Sequence, residues 1–333
     1  MMAEISSTED LPAAGIKTGF VYHQDYEEHK PGFWHPECPE RVMVIKKAFD
    51  SLDTGNKAEI FSPRLALESE LLMVHTGKHV ALMREMCETS QYHAGMEADL
   101  NLQTWQASLR AAGGGIEACR KVMSGEWVNA FCAVRPPGHH ATSDSAMGFC
   151  MFNNIAIAAA FLLKSGVVRI LIVDWDVHHG NGTQEIFYES ERVFFYSTHQ
   201  QNLYPAFSGL ESQTGSGKGL NFTLNRPLMP GTSGENHLEI FKTDLEKIGD
   251  KFKPDFVLIS CGFDSTREDM LGSLNLLPDH YREMTSMVSN MADDRVVSFL
   301  EGGYNLSLLG NLFSEHFSGL MEIAGHKRKT IQV

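Results

Sequence analysis

The segment Ile170-Leu171-Ile172-Val173-Asp174-Trp175-Asp176-Val177-His178-His179-Gly180-Asn181-Gly182 constrains this chain more than any other. Its opening run of branched apolar residues is the pattern of a strand buried on both faces, which belongs in a parallel sheet covered by helices. At Asp174 the run becomes an alternation of acids and imidazoles, and Gly180 and Gly182 then break it. Side chains alternate along an extended chain. Asp174, Asp176 and His178 are therefore expected on one side, with Trp175 and Val177 on the other. Two acids and an imidazole thereby converge where a strand ends, the place where open α/β sheets carry their chemistry.

The same rhythm recurs. Residues 129–134 read as a buried strand leading to Arg135-Pro136-Pro137-Gly138-His139-His140, and 193–196 as another leading to Ser197-Thr198-His199. Residues 256–260 lead to Cys261-Gly262-Phe263-Asp264-Ser265, and 296–300 to Glu301-Gly302-Gly303-Tyr304-Asn305. Helical patterns occupy 104–124, 155–163, 237–252 and 278–291, so strand and helix alternate from Phe131 to Leu300. The expectation is an α/β fold of one domain, a parallel β-sheet with helices on both faces and its chemistry at the strand exits. No linker divides the chain: a flexible tail is expected at 1–15, the folded domain at 16–322 and a C-terminal tail at 323–333.

Before this repeat, 16–22 reads as a first strand, followed by a loop stiffened by Pro31, Pro36 and Pro39 and carrying Phe33, Trp34 and His35. Pro39 opens a helix. His23 and His35 suit structural or rim positions better than ligand positions. Residues 66–90 read as largely helical, with His75 and His79 four apart but lacking an acid at helical spacing, so surface or supporting roles are expected. Gly113, Gly114 and Gly115 lie in a helix of small residues and suggest close packing; no GK[ST] follows to make a phosphate loop. Residues 208–219 read as a surface loop.

Charge narrows the function. A net charge of −14 without a broad basic stripe argues against nucleic acid and suits a basic substrate or partner, or simply solubility. Cys38, Cys87, Cys119, Cys132, Cys150 and Cys261 show no CxxC spacing and read as inert thiols of a reducing compartment. The first 15 residues lack the apolar stretch of a secretory signal, and no apolar run approaches a membrane span. The expectation is a cytoplasmic protein without membrane or nucleic-acid partners, its oligomeric state open.

Taken together, Pro136-Pro137-Gly138-His139-His140, the Asp174 to Gly182 segment, Gly262-Phe263-Asp264-Ser265 and Glu301-Gly302-Gly303-Tyr304-Asn305 resemble the zinc-dependent histone deacetylase family. The chain is most similar to its class II branch and that branch's bacterial relatives, from about Tyr22 to about Leu320 and including His35-Pro36-Glu37-Cys38-Pro39-Glu40-Arg41. The resemblance implies an arginase-like fold and one catalytic Zn2+ held by Asp176, His178 and Asp264. It implies that His139 and His140 face the attacking water, with His140 as general base, Asp174 orienting His139, and Tyr304 donating to the oxyanion. Asn181 stands where class I members carry aspartate, which should lower the pKa of His140. Phe149 and Tyr204 match the walls of an acyl-lysine tunnel. A structural K+ is implied at Asp174, Ser197 and the backbone of Asp176, His178 and Thr198.

Leu271 stands where acetylpolyamine-preferring members carry glutamate, which weakens the polyamine reading. Glu97 or Asp99 could accept backbone N–H groups of a peptide. The implied reaction is hydrolysis of N6-acetyl-lysine, or a short acyl-lysine, in an acetylated protein or peptide. The alternatives are deacetylation of a small acetylated amine such as an acetylpolyamine, and a non-catalytic acyl-lysine-binding module, against which Tyr304 argues. A two-metal arginase-type site would need more carboxylates than the His139-His140 turn supplies.

Overall fold

The computed structural model describes residues 17–331, with side-chain surroundings over 17–322; the tail expected at 1–15 lies outside the described residues. The strands are β1 (Lys17–Val21), β2 (Ala58–Phe61), β3 (Tyr92–His93), β4 (Ala98–Asp99), β5 (Trp127–Cys132), β6 (Ile170–Asp174), β7 (Val193–Gln200), β8 (Thr223–Leu228), β9 (Phe256–Cys261) and β10 (Val296–Leu300). Eight of them form one sheet in the order β2-β1-β5-β10-β9-β6-β7-β8. Every pairing in it is parallel. β3 and β4 form a separate antiparallel hairpin.

The central strands follow from their apolar runs. Every residue of β5, β6, β9 and β10 is buried, as a sheet covered on both faces requires. Edges are different: β2 is short and only partly buried, and β8 carries Pro227, whose missing N–H is tolerated where no further strand follows. Neither edge strand shows the apolar run that marks the interior ones, and the sequence reading places no strand there. β7 extends four residues beyond the expected 193–196, through Ser197, Thr198, His199 and Gln200, because the polar end is buried too.

Helix Leu102–Met123 starts at Asn101, whose side chain accepts the Thr104 N–H at 2.9 Å. Its glycines do allow close approach: a Cβ on Gly113 would lie 2.2 Å from the Arg64 carbonyl, and one on Gly115 would lie 2.4 Å from the Phe299 ring. The stretch 66–90 is not one helix. It divides into Glu68–Leu71 and Gly77–Glu88, the second started by Thr76, whose hydroxyl accepts the His79 N–H at 3.2 Å. The last helix, Leu306–Ile331, continues through most of the segment expected as a tail. Among the described residues no helix is long and apolar enough to cross a membrane.

Candidate active site

The five adjacent strands β5-β10-β9-β6-β7 deliver their C-terminal exits to one place. In that order they supply His139 and His140, Tyr304, Asp264, Asp176 with His178, and Tyr204. A cavity of about 190 Å3 opens there, lined among others by Glu97, His139, His140, Phe149, His178, Tyr204, Leu271 and Tyr304.

β6 ends at Asp174 and the chain bends beyond it, so the expected alternation is only partly kept. Trp175 and Val177 do turn into the core. On the other side Asp176, His178 and Asp264 bring one donor atom each to within 4.8 Å of one another. His178 Nδ1 lies 3.0 Å from Asp176 Oδ1 and 3.3 Å from Asp264 Oδ2. The remaining carboxylate oxygens are tied to backbone. Asp176 Oδ2 accepts the Gly302 N–H at 2.7 Å and Asp264 Oδ1 accepts the Val177 N–H at 2.9 Å. A Cβ on Gly302 would collide with Asp264 Oδ2 at 2.0 Å, so only glycine lets the backbone pass this close.

These residues fit a divalent cation. Asp264 Oδ2 is buried without a hydrogen-bond partner, a costly state unless something else occupies its lone pairs. Burial and the adjacent Asp176 charge push the Asp264 pKa up from the usual carboxylate range. Burial opposes a charge on His178, yet Asp176 and Asp264 outweigh it and raise its pKa to about 9. Two carboxylates and one imidazole around a buried point call for positive charge, and this O/N donor set suits zinc with positions left open for substrate.

An extended chain would send His139 and His140 to opposite sides, but residues 139 and 140 lie in a turn. Both rings line the cavity, with centroids 4.0 Å apart. What separates them is the partner behind each. His139 Nδ1 meets Asp174 Oδ2 at 2.9 Å, whereas His140 Nδ1 meets the Asn181 amide oxygen at 2.8 Å. Burial would strip both of protons. For His139 the charges of Asp174, Asp176 and Glu301 win and hold its pKa at about 10. For His140 burial is reinforced by the neighbouring His139 and His178, and its pKa falls well below 6.5. With Nδ1–H donated to Asn181, the free lone pair of His140 is on Nε2.

Tyr304 packs edge-on to Phe149 at 6.0 Å, and the Arg41 guanidinium lies 4.9 Å from its ring centroid. Burial raises its pKa well above 10, so the phenol keeps its proton as a donor. Phe149 adopts a left-handed φ of 66° and is packed edge-on by His35 at 4.6 Å, which gives His35 the rim position expected of it. Tyr204 stands edge-on to His140 at 5.1 Å and Leu271 also lines the cavity. Glu97 lies at the cavity and Asp99 does not line it. Asp174 and Ser197 are register partners on β6 and β7, with Thr198 next along β7.

His75 and His79 are buried rather than on the surface. His75 Nε2 accepts the Asn153 N–H at 2.9 Å, and His79 Nε2 donates to the Met151 carbonyl at 2.9 Å, so both support the chain after Phe149. Sequence reasoning missed the buried ionic frame. Glu301 Oε2 accepts the N–H groups of Gly138 and His139 at 2.7 and 3.1 Å, and Oε1 accepts from Ser260 at 3.1 Å. Arg41 donates Nε to the Gly303 carbonyl at 2.7 Å, Nη2 to the Glu301 carbonyl and Nη1 to Glu37 at 3.0 Å. The available signal was charge beside Pro36 and Pro39 for Glu37 and Arg41, and at the exit of a buried strand for Glu301.

Comparison with known proteins agrees with this geometry. A histone deacetylase domain model matches residues 35–320. A probable deacetylase of Archaeoglobus fulgidus is 39% identical over 295 residues, covering 87% of this chain and 82% of its own. Histone deacetylase 5 of Arabidopsis thaliana is 38% identical over 308 residues, 87% of this chain, which spans only 47% of that protein. The crystal structure of the HDA15 HD domain superposes with a TM-score of 0.87 at 33% identity, covering 91% of this chain and 90% of that one. The parallel sheet is thus the arginase/deacetylase fold, and the chain belongs to the histone deacetylase family of zinc-dependent hydrolases.

Proposed function

We propose that this protein is a lysine deacetylase, hydrolysing the amide of N6-acetyl-lysine or a short acyl-lysine in a protein or peptide. The observation that carries the reading is the lining of the cavity. Phe149, Tyr204 and Leu271 line it together with His178, Tyr304 and the paired imidazoles. Aromatic side chains in the lining suit the alkyl chain of a lysine.

Asp176, His178 and Asp264 would hold a zinc ion, which when bound would supply Lewis-acid polarisation of the amide carbonyl and acidify water. His140, neutral with Nε2 free, accepts the proton of the attacking water. His139, protonated and steadied by Asp174, stabilises the negative charge that builds nearby, and an imidazole proton passes to the leaving amine. Tyr304 donates its hydroxyl to the oxyanion. Acetate and lysine leave. A structural potassium ion at Asp174, Ser197 and the backbone of Asp176, His178 and Thr198 belongs to the same reading, as does a catalytic domain spanning 16–322.

The reading is tested by assaying purified protein on an acetyl-lysine peptide before and after chelation, with zinc added back. Turnover that survives exhaustive chelation would overturn it. A second reading, deacetylation of an acetylpolyamine, draws on Glu97, the sole carboxylate among the lining residues and able to attract a second ammonium group. Against it, Leu271 offers no charge. Kinetics on acetylspermidine beside the peptide decide between the two: higher kcat/KM on acetylspermidine selects the second.

A further inference from the structure

Residues 301–305 lie outside any helix or strand, so the placement of Tyr304 depends on what holds its backbone. The peptide unit joining Gly303 to Tyr304 is gripped at both ends. Its carbonyl accepts from Arg41 Nε at 2.7 Å, and its N–H donates to Asp269 Oδ2 at 2.7 Å. The same Asp269 oxygen accepts the Asn305 N–H at 3.1 Å. The other oxygen, Oδ1, accepts the N–H of Leu271 at 3.0 Å. Asn305 closes the connection by donating Nδ2 to the Glu268 carbonyl at 2.8 Å. Asp269 is 7% exposed, while its neighbour Met270 is 68% exposed, so the acid turns inward from an otherwise open loop. Behind that loop there is no slack: a Cβ on Gly272 would lie 2.4 Å from the Asp264 carbonyl oxygen.

One carboxylate therefore holds the loop that carries a wall of the cavity and the turn that carries the hydroxyl donor. We propose that Asp269 is a positioning residue that couples the Leu271 wall to Tyr304, so that substrate fit and oxyanion stabilisation are set together. The inference rests on the deacetylase reading above. Its chemistry is specific to a carboxylate. An asparagine has one acceptor oxygen and an NH2 group, so it cannot accept on both sides, and either Leu271 or the Tyr304–Asn305 pair then faces a donor.

The test is a pair of double-mutant cycles on an acetyl-lysine peptide with zinc-loaded, folded protein. Tyr304→Phe is expected to lower kcat with KM little changed, and Leu271→Ala to raise KM with kcat little changed. Asp269→Asn is expected to do both, lowering kcat about tenfold or more, since displacement by about 1 Å can cost a hundredfold. Combined with Tyr304→Phe it should lower kcat by less than about twofold further, and combined with Leu271→Ala it should raise KM by less than about twofold further. A residue that merely supports the fold would add its full effect in both backgrounds, and full additivity, or wild-type kcat and KM for Asp269→Asn, would overturn the inference. If Asp269→Asn does not fold, Asp269→Glu, which displaces the same two oxygens by a methylene, enters the same cycles with the same expectation. A Tyr304→Phe protein as fast as wild type would instead overturn the reading of the site, and the inference with it.

Discussion

The carboxylate of Glu37 meets the guanidinium of Arg135 edge to edge, Oε1 accepting from Nε at 2.5 Å and Oε2 from Nη2 at 2.8 Å, with both side chains out of solvent. Oε1 also accepts from Arg41 Nη1 at 3.0 Å. Burial alone would favour a neutral acid, but Arg135, His29 and Arg41 together hold the Glu37 carboxyl well below the usual carboxylate range. Its two arginines lead to different parts of the site. Arg135 starts the turn that carries His139 and His140, and Arg41 holds the carbonyl before Tyr304.

Glu37→Gln removes the charge and leaves two buried guanidiniums facing an amide. Breaking a buried pair from one side costs about 3–5 kcal/mol, so the urea midpoint of the variant should fall by that amount of stability. An unchanged midpoint would show that the arginines find other acceptors.

Tyr304→Phe keeps the ring against Phe149 and Arg41 and removes only the hydroxyl. Loss of one preorganised oxyanion donor costs about 10²- to 10³-fold in kcat, with zinc content and thermal stability near those of wild type. Steady-state kinetics at matched metal content read this directly, and a loss below threefold would assign the oxyanion to another donor.

The reach of the sequence is visible in these residues. Asp174, Asp176 and His178 stand out because they are packed at the end of an apolar run, where a bland turn would not place them. Asp264 and Tyr304 are legible for the same reason. Glu37, Arg41 and Arg135 are not, because their meaning lies in pairings across 98 residues, for Glu37 with Arg135, and 262 residues, for Arg41 with Gly303. A charged residue in a polar loop looks solvated until the fold closes over it. For His75 the supporting role is legible but its place is not: it lies between two helices rather than on one, and its ring accepts the Asn153 N–H. Strands β2 and β8 escape notice because edges need not be apolar.

Asn181 gives a pH prediction. In the proposed mechanism His140 is the general base and must be neutral, so activity is expected to fall on the acid side through its pKa, which burial, His139 and His178 place well below 6.5. Asn181→Asp sets a carboxylate 2.8 Å from Nδ1 in place of the amide oxygen. That favours the protonated ring and raises the pKa. The acid limb of the kcat/KM profile should therefore shift to higher pH, with activity near pH 6 lost before activity near pH 8. A limb that does not move would place the essential base elsewhere.

His316 governs a separate acid sensitivity, in stability rather than turnover. It is fully buried behind β10, with Nδ1 2.6 Å from the Thr285 hydroxyl and Nε2 2.9 Å from that of Ser298. Thr285 spends its proton on the Tyr281 carbonyl, so Nδ1 is the donor and the ring is neutral with Nε2 accepting from Ser298. Burial lowers its pKa from 6.5 to about 3. The unfolded chain takes up a proton here as pH falls below 6.5 while the folded protein does not, so this contribution to stability is whole above 6.5 and drains away down to about 3. At about 1.4 kcal/mol per pH unit, roughly 3 kcal/mol is gone by about pH 4.5. His316→Gln, which cannot titrate, should lose less stability than wild type between pH 7 and about pH 4.5, and its deficit relative to wild type should shrink as the solution is acidified. Parallel stability curves for the two proteins over that range would show that His316 does not carry the acid sensitivity.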